Sequence, residues 1–360
     1  MKKIYSVFTG TGSYVPTKQI KNEYFHENEF YDSTGERIPS PNEEVTEKFR
    51  EITTIEERRY AEDDQVTSDL ALIAAERAIE SAKIDKEKLD YIIFAHNFGE
   101  THVNNMRIDI LPTMAARLKQ KLGIANPNAV AYDILFGCPG WVQAVIQADY
   151  YIRSGDAKKV LVVGADVLSR VSDPHDRDSM IYADGAGAAI MEGVESDTPI
   201  GIIGHNSRSD ALDYAQMLHM GYSYNKELAE REDLYLKMNG RRLYQYALEN
   251  VPKTIKAGLD KLNMHISRVK KVLIHQANGK MDDAILARLY KLYNEKVVPH
   301  EVMPMTISWL GNSSVATVPT LLDMIVRKNM ESHQLDSGDN IVLASVGAGM
   351  NINSVIYRFP

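Results

Sequence analysis

Cysteine is almost absent from this chain: Cys138 stands alone among 360 residues. No intrachain disulfide can form, and a zinc site built on cysteine thiolates is implausible, which suits a reducing compartment. Long apolar runs are missing too. No stretch approaches the roughly 20 residues a membrane-spanning helix needs, and Met1-Lys2-Lys3-Ile4-Tyr5-Ser6 leads into nothing of signal-peptide length. A cytoplasmic protein with no membrane association is expected. There is no excess of positive charge either: 41 basic against 49 acidic residues give a formal charge of −8, which offers no support for nucleic-acid binding. What remains is an ordinary globular composition, 44% hydrophobic and 25% charged, long enough for two core-forming halves.

Those halves follow one plan. Each opens on a short apolar strand with glycine, Ile4 to Gly12 and Ile200 to His205. A long amphipathic helix follows, with Leu70, Ile73, Ala74, Ala78 and Ile79 on one face of the first and Tyr244, Ala247, Leu248, Val251 and Ile255 on that of the second. Matching strands then end in histidine, Leu89 to Asn97 through His96 and Lys270 to Gln276 through His275. Next come turns that open helices, Gly137-Cys138-Pro139-Gly140 and Gly311-Asn312-Ser313-Ser314, and then the glycine-bounded strands Val160 to Gly164 and Ile341 to Gly347. Strands this uniformly apolar, alternating with helices, call for an α/β fold whose sheets are covered on both faces. The boundary falls at Thr198-Pro199, giving halves 1–198 and 199–360. Residues 22–44 read as a polar surface insertion, and residues 206–236 as an irregular loop or cap.

Cys138 lies where the apolar run Ala129 to Phe136 breaks at Gly137 and a helical pattern begins, with Pro139 suited to the first helical position. A helix N-terminus aims unpaired amides and the positive dipole end at the sulfur, so the site is expected to favour the nucleophilic thiolate. In folds of this kind ligands gather beyond the carboxyl ends of strands, where Cys138, His275 and Asn312 all fall. The repeat sets Cys138 and Asn312 at equivalent positions. Singly, His275 suits a structural histidine and Asn312 a turn; with Cys138 they form a candidate site. His96, Asp173 and His175 read as structural, and Asp184-Gly185-Ala186-Gly187, lacking both the P-loop ending and the Rossmann spacing, reads as close packing.

The ordered segments Gly137-Cys138-Pro139-Gly140, Val163-Gly164-Ala165-Asp166-Val167-Leu168-Ser169-Arg170, Asp173-Pro174-His175-Asp176-Arg177, Ala183-Asp184-Gly185-Ala186-Gly187-Ala188, His275-Gln276-Ala277-Asn278, Gly311-Asn312-Ser313-Ser314 and Val346-Gly347-Ala348-Gly349 resemble the ketoacyl-ACP synthase III family of thiolase-fold condensing enzymes, over nearly the whole chain. The resemblance implies a layered αβαβα thiolase-like fold and a homodimer. It also implies decarboxylative Claisen condensation of an acyl primer with malonyl-ACP, giving a 3-oxoacyl-ACP in fatty acid or polyketide-like biosynthesis. Cys138, His275 and Asn312 match the catalytic set, the backbone amides of Cys138 and Ala348 the oxyanion hole, and Asn278 a support of the active-site loop. No metal or redox cofactor is implied; coenzyme A or phosphopantetheine thioesters are the substrates, and acyl carrier protein is the partner.

Two departures and one further match qualify that picture. The Trp and Arg that clamp the adenine of coenzyme A in well-known members fall here at Lys48 and Ile52, so delivery of the primer by acyl-ACP competes with delivery by acyl-CoA. Lys280 matches a carrier-binding cation, with Arg241, Arg242, Lys270 and Lys271 as further candidates. Glu100 lies in a loop where sister enzymes, hydroxymethylglutaryl-CoA synthase and head-to-head condensing enzymes, hold a general base; it is either that or a solvated loop acid. The rivals are therefore a sister condensing or acyl-transfer reaction, including cyclising condensation, and a Cys-His thioesterase or hydrolase. A lone cysteine counts against a true thiolase. The Asn104 to Arg117 segment is expected at a subunit rim.

Overall fold

The computed structural model describes residues 2–230 and 232–360 and contains two successive main sheets. In spatial order the first runs Lys3–Tyr14, Asp184–Ser196, Lys159–Val167, Tyr91–Ala95, Val130–Ile134. The second runs Gly201–Ser209, Asn351–Arg358, Asn340–Gly347, Val269–Ile274. From the outer edge inward both follow one sequence of pairings: antiparallel, antiparallel, then parallel. The first sheet adds a fifth, parallel strand, Val130–Ile134. Its counterpart in the second half is an irregular stretch that still gives the Val302 carbonyl to the Val272 amide at 2.8 Å.

Helices Gly140–Ser154 and Thr317–Val326 lie between the sheets, where Trp141, Val145, Leu321 and Leu322 pack with Leu343 and Val355. Thr67–Ala82 and Met114–Lys121 cover the outer face of the first sheet, Leu70, Ala74 and Leu118 meeting Ile92, Phe94 and Leu161. Gly240–Asp260 and Gly279–Lys291 cover the second. Five layers result, and every residue of Val160–Val163 is buried because helices press on both faces. The small residues of Ala183 to Ala188 serve that packing: a Cβ on Gly187 would lie 2.6 Å from Pro319 Cγ on the central helix.

Two irregular segments matter to the site. Residues 22–44 lie mostly at the surface, as their polarity suggests, and are anchored by Phe25 and Phe30, which are buried, with the Arg58 guanidinium 4.9 Å from the Phe25 ring centroid. Within 206–236 and just beyond, strands Leu218–Gly221 and Tyr235–Met238 pair as a ribbon that roofs the cavity described below. The ribbon is pinned from beneath. Lys237, 3% exposed, ion-pairs with Asp173 and Asp176, while Asp173 also accepts hydrogen bonds from the Ser223 hydroxyl and the Tyr224 amide. Asp173 is thus structural, as expected, as is His96, which pairs with Asp133 at 3.0 Å.

Candidate active site

The position of Cys138 follows from two glycines. The edge strand ends at Ile134, Gly137 takes φ +67°, and its carbonyl accepts from the Gly140 amide as helix Gly140–Ser154 starts one residue after Pro139. A Cβ on Gly137 would come within 2.6 Å of the Ala348 amide nitrogen, and one on Gly347 within 2.5 Å of the Cys138 amide nitrogen. Only glycine at both points lets the two loops meet backbone to backbone. That contact brings the backbone of Gly137-Cys138 against that of Gly347-Ala348.

Asn312 is fixed through its main chain. Its amide donates to the Ile181 carbonyl at 3.0 Å, and its carbonyl accepts from the Ala183 amide at 2.8 Å. The side-chain oxygen accepts from the Ser314 amide at 2.9 Å, which orients the Nδ2 group as the free donor. His275 follows strand Val269–Ile274, its amide tied to the Ala344 carbonyl at 2.9 Å. Burial pushes its pKa down to about 4, partly offset by a backbone hydrogen bond at Ser314, so the imidazole is neutral near pH 7. Its Nδ1 is buried and without a partner among the described residues.

Cys138, His275, Asn312 and Ala348 share one cavity of about 240 Å³. Its other walls are chiefly apolar: Phe98, Leu168, Leu218, Met220, Leu236, Met238, Leu243 and Met281. The Tyr182 hydroxyl, also on a wall residue, is buried without a partner among the described residues. Larger hollows of about 580 and 460 Å³, beside Lys270 and beside Arg50, contain no cysteine.

The expected thiolate preference is not what this environment produces. Burial pushes the Cys138 thiol up to about 11; the Ser314 hydrogen bond opposes the rise and the charge of Asp166 adds to it. Sequence reasoning missed the group that opposes it. The Ser314 hydroxyl donates to Cys138 Sγ at 3.4 Å, the Asn97 side-chain amide donates to Ser314 Oγ at 3.0 Å, and Asp166 accepts from Asn97 at 2.7 and 2.8 Å. Ser314 and Asp166 lie inside the quoted motifs, but nothing in their spacing links them.

The remaining candidates scatter. Asn278 caps helix Gly279–Lys291, its side-chain oxygen accepting from the Met281 amide at 3.0 Å. Lys280 is exposed on that helix's first turn, and Arg241 and Arg242 are exposed at the start of Gly240–Asp260. Lys270 and Lys271 sit toward the opposite end of the strand from His275, about 13 Å or more away at the usual rise. Lys271 is also buried, bonded to the Glu301 carbonyl at 2.6 Å, so a docking role for it is corrected. Glu100 is not a solvated loop acid: it is 4% exposed, accepts from the Ser68 hydroxyl and amide at 2.5 and 2.9 Å, and is not among the residues lining the cavity. Lys48 and Ile52 are exposed on helix Asn42–Thr53 with no aromatic clamp between them.

The five-layer arrangement with this site is the thiolase-like fold of condensing enzymes, and solved structures match it from end to end. A 3-oxoacyl-[acyl-carrier-protein] synthase III from Thermus thermophilus matches with a TM-score of 0.79 at 27% identity, over 98% of this chain and 99% of its own. That from Aquifex aeolicus matches with a TM-score of 0.77 at 26% identity, over 100% of both chains. The β-ketoacyl-[acyl-carrier-protein] synthase III 1 of Vibrio parahaemolyticus is 33% identical over 357 residues, 99% of this chain and 100% of the relative. Family descriptions match twice, 3-oxoacyl-[acyl-carrier-protein (ACP)] synthase III at residues 132–211 and its C-terminal region at residues 259–359. The chain belongs to the 3-oxoacyl-ACP synthase III family.

Proposed function

We propose that this enzyme joins an acyl primer to malonyl-ACP by decarboxylative Claisen condensation through an acyl-Cys138 thioester. The observation that carries the reading is the convergence of Cys138, His275, Asn312 and Ala348 on one cavity with largely apolar walls. Cys138 Sγ attacks the primer thioester, the amides of Cys138 and Ala348 stabilise the oxyanion, and the carrier thiol leaves with the cysteine's proton. Malonyl-ACP then loses its carboxylate as CO2. The enolate oxygen accepts hydrogen bonds from neutral His275 and Asn312 Nδ2, donors worth about 3 kcal/mol each in the transition state. The carbanion attacks the acyl carbonyl, and Cys138 leaves as thiolate, releasing 3-oxoacyl-ACP. This chemistry calls on no metal or redox group.

The walls support a primer longer than acetyl. On the scale at which a cavity of about 150 Å³ holds the six carbons of benzene, this one accommodates roughly ten heavy atoms. Without the aromatic clamp at Lys48 and Ile52, delivery on acyl-ACP is favoured over acyl-CoA, with Lys280, Arg241 and Arg242 as the basic doorway for an acidic carrier in the cytoplasm. A homodimer accounts for the open edge of strand Val130–Ile134 and the exposed Val130, Leu135, Ile108, Ile110 and Leu111 nearby. The hydrogen bonds from Ser68 to Glu100 favour simple malonyl condensation over sister chemistry with Glu100 as general base. Intact-mass labelling of Cys138 by acyl-CoA and acyl-ACP panels, followed by malonyl-ACP, tests the whole reading. Mass gain on wild type but not on Cys138→Ala, with 3-oxoacyl-ACP and CO2 formed, is expected; free acid as the sole product would refute it.

A further inference from the structure

We infer that Ser314, oriented by Asn97 and Asp166, is a positioning residue that holds a fixed hydrogen-bond donor against Cys138 Sγ and stabilises the attacking thiolate. The inference rests on Cys138 being the nucleophile.

The argument is one of hydrogen-bond polarity. Asp166 is 1% exposed, and its two oxygens accept from the Asn97 amide N–H and from Asn97 Nδ2. A carboxylate is an acceptor only, so the side-chain amide of Asn97 must present nitrogen, not oxygen, on that side. The same Nδ2 donates its second hydrogen to Ser314 Oγ. A hydroxyl has one hydrogen; with Asn97 supplying a donor from one side, that hydrogen is directed at Cys138 Sγ. Direction therefore passes from Asp166 through Asn97 to the Ser314 hydroxyl, whose hydrogen has two acceptors within reach, Cys138 Sγ and the Asp166 carboxylate, with Asn97 holding both oxygens of that carboxylate on its own side.

Ser314 is also placed where three functional groups meet. Its amide orients Asn312, its backbone touches His275, and its hydroxyl reaches Cys138. It sits at φ +53°, a left-handed conformation uncommon for serine and a form of strain that collects at functional sites. The direct charge of Asp166 acts against a thiolate, but the Ser314 hydrogen bond outweighs it among the influences on Cys138. The other titratable groups around the sulfur are His275, neutral near pH 7, the buried Tyr182 and the roof residue His219. None supplies a permanent positive charge. Asp166 itself is raised to about 6 by burial, so acid should release the orientation.

Iodoacetamide alkylation of Cys138 across pH 6 to 11 tests this without any substrate. A charge-assisted hydrogen bond of this kind corresponds to about a tenfold effect, so Ser314→Ala is expected to alkylate about tenfold more slowly at pH 8, its profile displaced upward by about one pH unit. Asn97→Ala, which leaves the hydroxyl present but unoriented, is expected to fall between. A role limited to holding the fold would lower amplitude or stability and leave the profile of the folded fraction in place. Profiles of both variants superimposable on wild type would overturn the inference; should Ser314→Ala not fold, Asn97→Ala decides alone. Because alkylation needs no thioester, a failure here leaves the condensation reading standing, and failure of condensation leaves this result intact.

Discussion

Gly279 and Thr54 make a pair whose energetic coupling can be worked out from the structure. Thr54 ends helix Asn42–Thr53 at φ +65°, a left-handed conformation that strains a β-branched residue by about 1–3 kcal/mol. Its side chain fits because the residue facing it is glycine: a Cβ on Gly279 would lie 2.2 Å from Thr54 Oγ1, 3.3 Å from Thr54 Cβ and 3.4 Å from Ile307 Cγ2. Rotating the threonine about χ1 can exchange oxygen for methyl, and the Cβ contact stays short in every rotamer.

Gly279→Ala alone should therefore destabilise by about 1–3 kcal/mol through overpacking. In a Thr54→Gly background the obstructing atoms are gone, and alanine at the head of a helix should then stabilise by about 0.5 kcal/mol over glycine. The same substitution changes sign, with a coupling energy of about 1.5–3.5 kcal/mol. Urea denaturation of the four proteins, read from midpoints at constant slope, measures it. Equal effects of Gly279→Ala in both backgrounds, within about 0.5 kcal/mol, would refute the reasoning. Since Gly279 lies between the cap Asn278 and the exposed Lys280, the single variant should also impair carrier-borne primers, and Thr54→Gly should restore them.

Lys237→Met should cost about 3–5 kcal/mol, because it strands Asp173 and Asp176 beneath the roof; thermal or urea unfolding checks this. His275 links stability to acid. Its folded pKa of about 4 lies below the ordinary value of 6.5, so the unfolded chain binds the extra proton and stability falls as pH drops from about 6.5 to 4. The loss reaches about 3 kcal/mol below pH 4, and His275→Ala should remove that part of the dependence in urea titrations across the window. Leu236→Trp, filling the roof side of the cavity, should shorten the longest primer that labels Cys138 while leaving alkylation by iodoacetamide at the wild-type rate.

The parts of this molecule legible in its sequence are those dictated by local backbone needs. Gly137 and Gly311 take positive φ where turns open helices; the break in the apolar run at Gly137 marks Cys138, and the repeat marks Asn312 as its counterpart. The apolar strands likewise announced sheets covered on both faces. What stayed hidden depends on contacts between distant segments. Ser314 lies 176 residues from Cys138 and 217 from Asn97, and no spacing rule joins them. The raised thiol pKa comes from burial in a cavity whose roof is supplied by the other half of the chain, which no local pattern around Cys138 records. The burial of Glu100 could not be read because Ser68, its partner, sits at the head of a helix 32 residues earlier. The misplacement of Lys271 was avoidable, since strand rise alone separates it from His275.

The ribbon over the cavity is held down by a buried lysine between two aspartates, with the Lys237 Nζ also 3.4 Å from the Tyr224 ring centroid. A roof fastened this way is a fixed template: Leu218, Met220, Leu236 and Met238 set the shape of the cavity wall, so that shape can drift by exchange of four side chains while Cys138, His275 and Asn312 remain untouched.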